Sequence, residues 1–335
     1  MWRSVSTVTD VTLRAHDKRD VAGSFTSQRV SDVTAHVRPP THIILVVNGI
    51  KVRRPVFVLA APHSGADLLA RAMKRSPGFH LTMGRPAVAR VVYAFARKPS
   101  IARGQSAGAT RVMRDVLAEV WQMVPGACAE CSASCRDAAG LTTRTGSCLC
   151  ARPGDVERFG DASPDLLYSA PVLLQAFPDA RFVQIIRDGR DVAADMLADP
   201  TCMAWFRPGM LSDEAEFPNP FLGINSGEHR DKWQAMPAAG KCALRWRSAV
   251  RLSATLRHEL PREQLHTIRF EDMVSAPART AELLSGFLES SVPAAALYGV
   301  TPPRRGGWRG RLKTDDVKLV EKVAREELTR LGYLR

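Results

Sequence analysis

The sequence predicts an α/β protein, a parallel sheet flanked by helices. Two observations carry that expectation. Short β-rich runs alternate with helical stretches from about residue 41 onward. Two of those runs, 56–60 and 181–186, each open into a short loop and then a helix. At 335 residues the chain is long enough for one large α/β domain with a substantial core.

Residues 1–40 show no sustained period and end in Pro39-Pro40, so they are expected to be a disordered extension, with 41–335 as a single domain. Runs 43–47 and 56–60 are β-rich and separated by Asn48-Gly49, a hairpin signal. The stretch "APHSGADL" follows at 61–68, then a helix over 68–75 stopped by Ser76-Pro77-Gly78. Residues 84–125 are expected to be largely helical, with Val112, Met113, Val116, Leu117 and Val120 on one apolar face. Helices over 166–177 and up to about 197 bracket a strand at 181–186. Residues 200–240, rich in Pro, Gly, Asn and Met, read as a long, partly ordered loop over a site. A helix over 241–260, a strand at 265–269, a helix around 280–288 and a closing helix over 314–331 complete the order. No internal repeat is visible.

Composition is ordinary for a globular chain, with 45% hydrophobic and 24% charged residues. The net charge of +13 is not, and it points to an anionic partner: a nucleotide, a nucleic acid or an acidic membrane surface. The apolar run 43–47 is too short to span a bilayer, and 1–40 hold nothing resembling a secretion signal. A cytoplasmic protein without membrane association is therefore expected. Seven cysteines, an odd number, fit reduced thiols better than a disulfide framework.

Two stretches carry chemistry. A strand, a turn of small residues and a helix start aim several backbone N–H groups at one point, where the helix dipole also favours negative charge. In 61–68, Ser64 adds a hydroxyl donor, Gly65 permits close approach and His63 can be cationic beside an anion. The Gly-Lys-Ser/Thr ending of an ATP-hydrolysing loop is missing, which disfavours a kinase or NTPase. In "RFVQIIRDGRDVAADM", 181–196, Arg187 falls at the carboxyl end of a strand, where such sheets place ligands, and an arginine there can clamp a phosphate. The alternative is that Arg187, Asp188, Arg190 and Asp191 pair among themselves.

Taken in order, these pieces resemble the sulfotransferase family, which uses 3′-phosphoadenosine 5′-phosphosulfate as sulfonate donor. "RPVFVLAAPHSGADLLARAMKRSP" is similar to its 5′-phosphosulfate loop, and "FGDASPDLLYSAPVLLQAFPDARFVQIIRDGRDVAADM" to the segment carrying its 3′-phosphate site. "LHTIRFEDMVSAP" and "GGWRGRL…LGYL" resemble two later family stretches. The resemblance implies the P-loop NTP hydrolase-like sulfotransferase fold and transfer of a sulfonate group to a hydroxyl or amine of a small-molecule acceptor, with no metal required. It implies that Ser64, Gly65, Ala66 and Asp67 cup the 5′-phosphosulfate. Arg187, helped from position Asp195, would hold the 3′-phosphate. Arg304, Arg305, Gly306, Gly307 and Trp308 would close over the nucleotide. Asp161, in "DASP", stands where a carboxylate can act as general base, and His63 would steady or protonate the leaving phosphate.

The sequence departs from the family pattern at His63, Ala66, Asp67, Ala162 and Asp195, and each change removes a donor or cation or adds a carboxylate. Two like charges about 4 Å apart repel by roughly 4 kcal/mol at an effective dielectric of 20, enough to weaken binding about a thousandfold if uncompensated. Either Asp67 points away to cap its helix and Asp195 pairs with a nearby arginine, or the chain is a non-catalytic or altered-donor relative.

Between about 126 and 153 lies a cysteine-rich insertion. Cys128, Cys131 and Cys135, followed by Cys148 and Cys150, could ligate zinc, although the spacing fits no common zinc module and free thiols on a lid are the alternative. Cys202, Cys242 and Trp246 read as packing residues. "RRGGWRGR" fits a nucleotide loop better than an RNA-binding segment, and Glu271-Asp272 reads as structural. The acceptor and the oligomeric state are not legible.

Overall fold

Val56, Val58 and Ala60 pack on one side of a strand and Phe57 and Leu59 on the other, and all five are buried. Burial on both faces is what a continuous apolar run means in a parallel sheet. The computed structural model describes residues 44–334 apart from 104–106, 142–148, 208–210, 212–214 and 299–304. The extension expected over 1–40, and Arg304 and Cys148, lie outside the described residues.

Strands β1 (Val46–Val47) and β2 (Ile50–Lys51) form a small antiparallel hairpin. Its turn is Asn48-Gly49, both at positive φ, as the dipeptide requires. The turn therefore closes on 50–51 rather than joining 43–47 to the later apolar run, which corrects the expectation. The main sheet contains β3 (Val56–Ala60), β4 (Phe79–Thr82), β5 (Arg158–Asp161), β6 (Arg181–Ile186) and β7 (Leu265–Arg269). Their order is β4-β5-β3-β6-β7 and every pairing is parallel, with Phe57 opposite both Asp161 and Phe182. Helices cover both faces, so the α/β expectation holds.

On one face Phe57, Trp121, Phe159, Phe177 and Phe182 stack, and the helices Ala238–Glu259 and Thr314–Arg330 pack through Cys242, Trp246, Val320 and Leu328. On the other, the Ala66–Lys74 helix buries Leu69 and Met73 in one apolar cluster with Val56, Val58, Leu81, Val183 and Ile268. Residues 84–125 resolve into the helices Pro86–Arg97, Pro99–Arg103 and Ala107–Val120. Met113, Val116, Leu117 and Val120 are buried as expected, whereas Val112 is 49% exposed because it faces away from the stripe. The stretch 200–240 contains the short helices Pro200–Ala204 and Arg230–Ala235 and buries Phe221 beneath Arg245.

This topology makes a crevice. The chain after β3 runs to the β5–β4 side and after β6 to β7, so β3 and β6 are neighbours whose following helices lie on opposite faces. The loops after β3, β4, β5 and β6 all leave the same edge of the parallel sheet.

Candidate functional site

At the carboxyl end of β3 the chain makes a tight turn, with Ser64 N–H donating to the Ala61 carbonyl at 3.2 Å and His63 at positive φ. Gly65 has φ 101°, and a Cβ there would lie 2.5 Å from the Phe270 ring. Only glycine fits. The Ser64 hydroxyl is buried and has no partner among the described residues. Asp67 is exposed and does not cap the helix; its carboxylate accepts from Arg71 Nε at 2.9 Å, one turn on. Pairing with that guanidinium offsets the charge that the intruding acid brings to the loop.

Arg187, at the tip of β6, is 1% exposed and lies over the Phe270 ring at 4.7 Å. Its Nη1 donates to the His63 carbonyl at 2.7 Å and to Asp195 at 2.6 Å. The two stretches singled out in the sequence therefore meet through one guanidinium. Asp195 also accepts from Arg311 Nη1 at 2.6 Å, so it pairs with arginines as expected, two of them. Trp246 donates its Nε1–H to the Arg187 carbonyl at 3.1 Å, and its indole occupies the space a side chain on Gly189 would need. It is a packing residue, but what it packs is the arginine turn.

Asp191, buried one helical turn after Arg187, accepts from the amides of Gly306 at 2.7 Å and Trp308 at 2.9 Å. That pair of bonds ties the C-terminal loop to the site. Arg190 and Arg309 each place a guanidinium 4.5 Å from the Trp308 ring centroid, and the indole Nε1–H is buried without a partner among the described residues. Arg190 pairs with Asp188 and Glu321, and Arg187 Nη2 lies 4.0 Å from Asp191, so the charged cluster does pair internally while Arg187 also reaches His63 and Asp195. Glu271 accepts from the Asp188 amide and the Tyr333 hydroxyl, a structural role.

A cavity of about 690 Å³ is lined by the loop residues 61–63 and 65–68, by Arg71, Ala162, Ser163, Asp165, Arg187 and Asp195, with Ser64 buried behind them. A second, of about 650 Å³, is lined by Arg187, Asp195, Arg305, Gly306, Gly307, Gly310 and Arg311. Arg187 and Asp195 form the shared wall. Around the second cavity three guanidiniums face one carboxylate, which leaves it net positive despite Asp195.

Asp161 ends β5, fully buried, accepting from the Thr82 hydroxyl at 2.5 Å and the Ser163 amide at 2.8 Å. Burial pushes its carboxyl up to about 6 against the lowering effect of those bonds. It does not line the cavity; Ser163 does. Asp165, which the sequence did not single out, lines the cavity at positive φ and pairs with buried Arg245 at 2.7 Å.

His63 Nε2 lies 3.0 Å from Asp199 and 3.7 Å from Cys202 Sγ, the three ligand-type atoms falling within 4.8 Å of one another. Burial works against Asp199, yet the Thr201 amide and the Cys202 and His63 contacts hold its carboxyl below the usual value. Burial pushes the Cys202 thiol up to about 12. The loop after 197 thus reaches the site through Asp199, which no motif flagged.

The family model described as the sulfotransferase family matches residues 55–212, from the start of β3 past the Asp199 turn. Over that span the chain is similar to the sulfotransferase family. Solved structures similar to it include a sulfotransferase from Alicyclobacillus acidocaldarius, 16% identical over 84% of this chain and 96% of that one, TM-score 0.43. Sulfotransferase STF9 from Mycobacterium avium is 12% identical over 84% and 77%, TM-score 0.43. Mouse sulfotransferase SULT7A1, complexed with PAP, is 13% identical over 83% and 86%, TM-score 0.41. A search of curated proteins gives no match. Both stretches that define the site, the Ser64 turn and the Arg187 tip, lie inside the matched residues. Among the described residues no helix is long and apolar enough to cross a membrane.

Proposed function

We propose that the chain transfers a sulfonate group from 3′-phosphoadenosine 5′-phosphosulfate to a hydroxyl or amine of a small-molecule acceptor. The observation that carries this reading is Arg187, which forms a wall common to both cavities while bonded to the carbonyl of His63. One cavity then suits the 5′-phosphosulfate and acceptor, the other the 3′-phosphate. The residues present fit such a donor: among the described residues the Ser64 hydroxyl and Trp308 Nε1–H are buried donors without acceptors, and the helix that starts at Ala66 opens along the wall of the first cavity.

In this reading Ser64, Gly65, Ala66 and Asp67 present backbone N–H groups to the 5′ end. Arg187, with Arg305 and Arg311 alongside, receives the 3′-phosphate, and Asp195 turns toward Arg311 as it does. Gly306, Gly307 and Trp308, anchored by Asp191, close the nucleotide side. Asp161, one step behind the cavity, receives the acceptor's proton through the Ser163 hydroxyl, which takes the acceptor's proton as it passes its own to Asp161; Ser163 both lines the cavity and bonds Asp161. His63, oriented by Asp199, steadies the leaving phosphate oxygen. The acceptor is a small molecule, because the first cavity's volume lies within the range usual for such ligands.

A second reading, a nucleotide-binding relative without turnover, is favoured by one observation: Asp195 sits on the guanidinium that a 3′-phosphate would need. Incubation with sulfur-labelled donor and a panel of phenols, alcohols and amines separates the two. Label transferred to an acceptor supports the first; tight binding of adenosine 3′,5′-bisphosphate with no transfer supports the second. No binding of either nucleotide sinks both.

A further inference from the structure

The cysteine-rich segment folds against the sheet rather than hanging off it. Cys128 lies in the turn Ala127–Glu130, Cys131 follows it, and Cys135 sits in the helix Ala133–Ala138, which Ser132 caps. Cys128 lies beside both Cys131 and Cys150, and Cys131 beside Cys135, all in or against one buried cluster, so the four sulfurs run in a row and do not already close a tetrahedron. Three are buried, Cys150 is half-buried, and none is in a disulfide. Leu69, Met73, Leu81 and Met83 belong to the same apolar cluster.

Two buried cations sit beside these sulfurs. Lys74, 8% exposed, gives one hydrogen bond, to the Leu81 carbonyl at 2.9 Å, and among the described residues has no carboxylate partner. All four thiols lie near enough to couple to its ammonium electrostatically. Arg85 is also buried, its Nη1 3.5 Å from Cys131 Sγ and bonded to the Ala127 carbonyl, with Glu130 only at 4.0 Å. Buried charges of this kind are costly unless an opposite charge meets them, and neutral thiols supply none. His80, 1% exposed, places Nδ1 3.7 Å from Cys150 Sγ.

We propose that Cys128, Cys131, Cys135 and Cys150 bind one zinc ion as a structural tetrathiolate. Four thiols release four protons, and Zn²⁺ with four thiolates carries two excess negative charges. Lys74 and Arg85 balance them, and His80 donates Nδ1–H to the Cys150 sulfur. An ion at the middle of the row draws its two ends in to complete the tetrahedron. The consequence reaches the cavity. Ser132 and Ser134, interleaved with the ligands, both line it, Ser132 bonding to the Met83 carbonyl at 3.0 Å and Ser134 accepting from Arg71 at 2.8 Å. The metal would therefore pin the wall that holds Arg71 beside Asp67.

The inference does not depend on the transferase reading, and its test needs no activity. The full chain, purified without chelator, is incubated with excess zinc, desalted, and examined by metal analysis and X-ray absorption. The expected result is one zinc per chain with a four-sulfur shell at about 2.3 Å. Cys131→Ser should lower zinc affinity at least about tenfold, the order seen when a site is perturbed, whereas Cys242→Ser, on another helix, should retain it. Protein that keeps no zinc, or a shell dominated by nitrogen and oxygen as His63 and Asp199 would give, overturns the proposal. The absorption measurement on unmutated protein decides the matter even if a cysteine variant fails to fold.

Discussion

The Asp195 carboxylate accepts from Arg187 at 2.6 Å and from Arg311 at 2.6 Å, a carboxylate clamped between two guanidiniums where the sequence resemblance places a phosphate contact. Neutralising it while keeping its shape removes repulsion toward an incoming phosphate. Asp195→Asn should tighten adenosine 3′,5′-bisphosphate about tenfold, less than the full Coulomb cost because two arginines already screen the charge. Calorimetry with both proteins checks this; weaker binding in the variant would show that Asp195 organises the arginines more than it opposes the ligand.

Asp67 makes a contrasting case. Its side chain is 58% exposed and paired with Arg71, so its charge is largely answered. Asp67→Thr should change nucleotide affinity by no more than about threefold, in keeping with the small worth of exposed ion pairs. A gain of a hundredfold would mean that the native loop is electrostatically crippled.

Asp161 predicts a pH effect of definite sign. Its carboxyl is raised from 3.8 to about 6 in the fold, so its contribution to stability is complete below the unfolded value and is lost as pH rises through about 6. The loss amounts to about 3 kcal/mol. Asp161→Asn should be more stable than the native protein at about pH 7.5, and the two should converge at about pH 4. The amide oxygen can take the Ser163 N–H and the amide nitrogen can face Thr82 Oγ1, whose hydroxyl has the Gly160 carbonyl at 3.3 Å as an alternative acceptor. Urea titrations at the two pH values measure the gap. The same variant should lose about 10²–10⁴ in kcat if Asp161 is the base. Unchanged turnover would leave it a purely structural acid.

For His63, oriented by Asp199 at 3.0 Å, His63→Ala should lower kcat at the transfer step with little change in KM. Asp199→Asn should produce a smaller fall in kcat, since it acts through the imidazole. A rise in KM alone for both would assign the pair to binding.

Much of the fold was legible because its signals are local. β3, β6 and β7 announce themselves through apolar runs, and the helices through their period and stops. β4 and β5 did not, because "FHLT" and "RFGD" carry His80, Thr82, Arg158 and Asp161, residues that read as loop. These strands are buried by their neighbours, and two of their polar side chains are satisfied in place, Thr82 by Asp161 and Asp161 by Ser163. The site was half legible. Ser64, Gly65 and Arg187 follow from strand–loop–helix geometry. Asp191, Asp199, Asp165 and Arg311 act through partners distant in sequence, which no local pattern announces.

Calorimetric titration of adenosine 3′,5′-bisphosphate against adenosine 5′-monophosphate tests the central claim most directly, because the two differ only in the phosphate assigned to Arg187. The bisphosphate should bind about a hundredfold tighter, and Arg187→Ala should erase that advantage, costing the bisphosphate far more than the monophosphate, whose loop loses only the bond to the His63 carbonyl. Equal affinities for the two nucleotides in the native protein would contradict it.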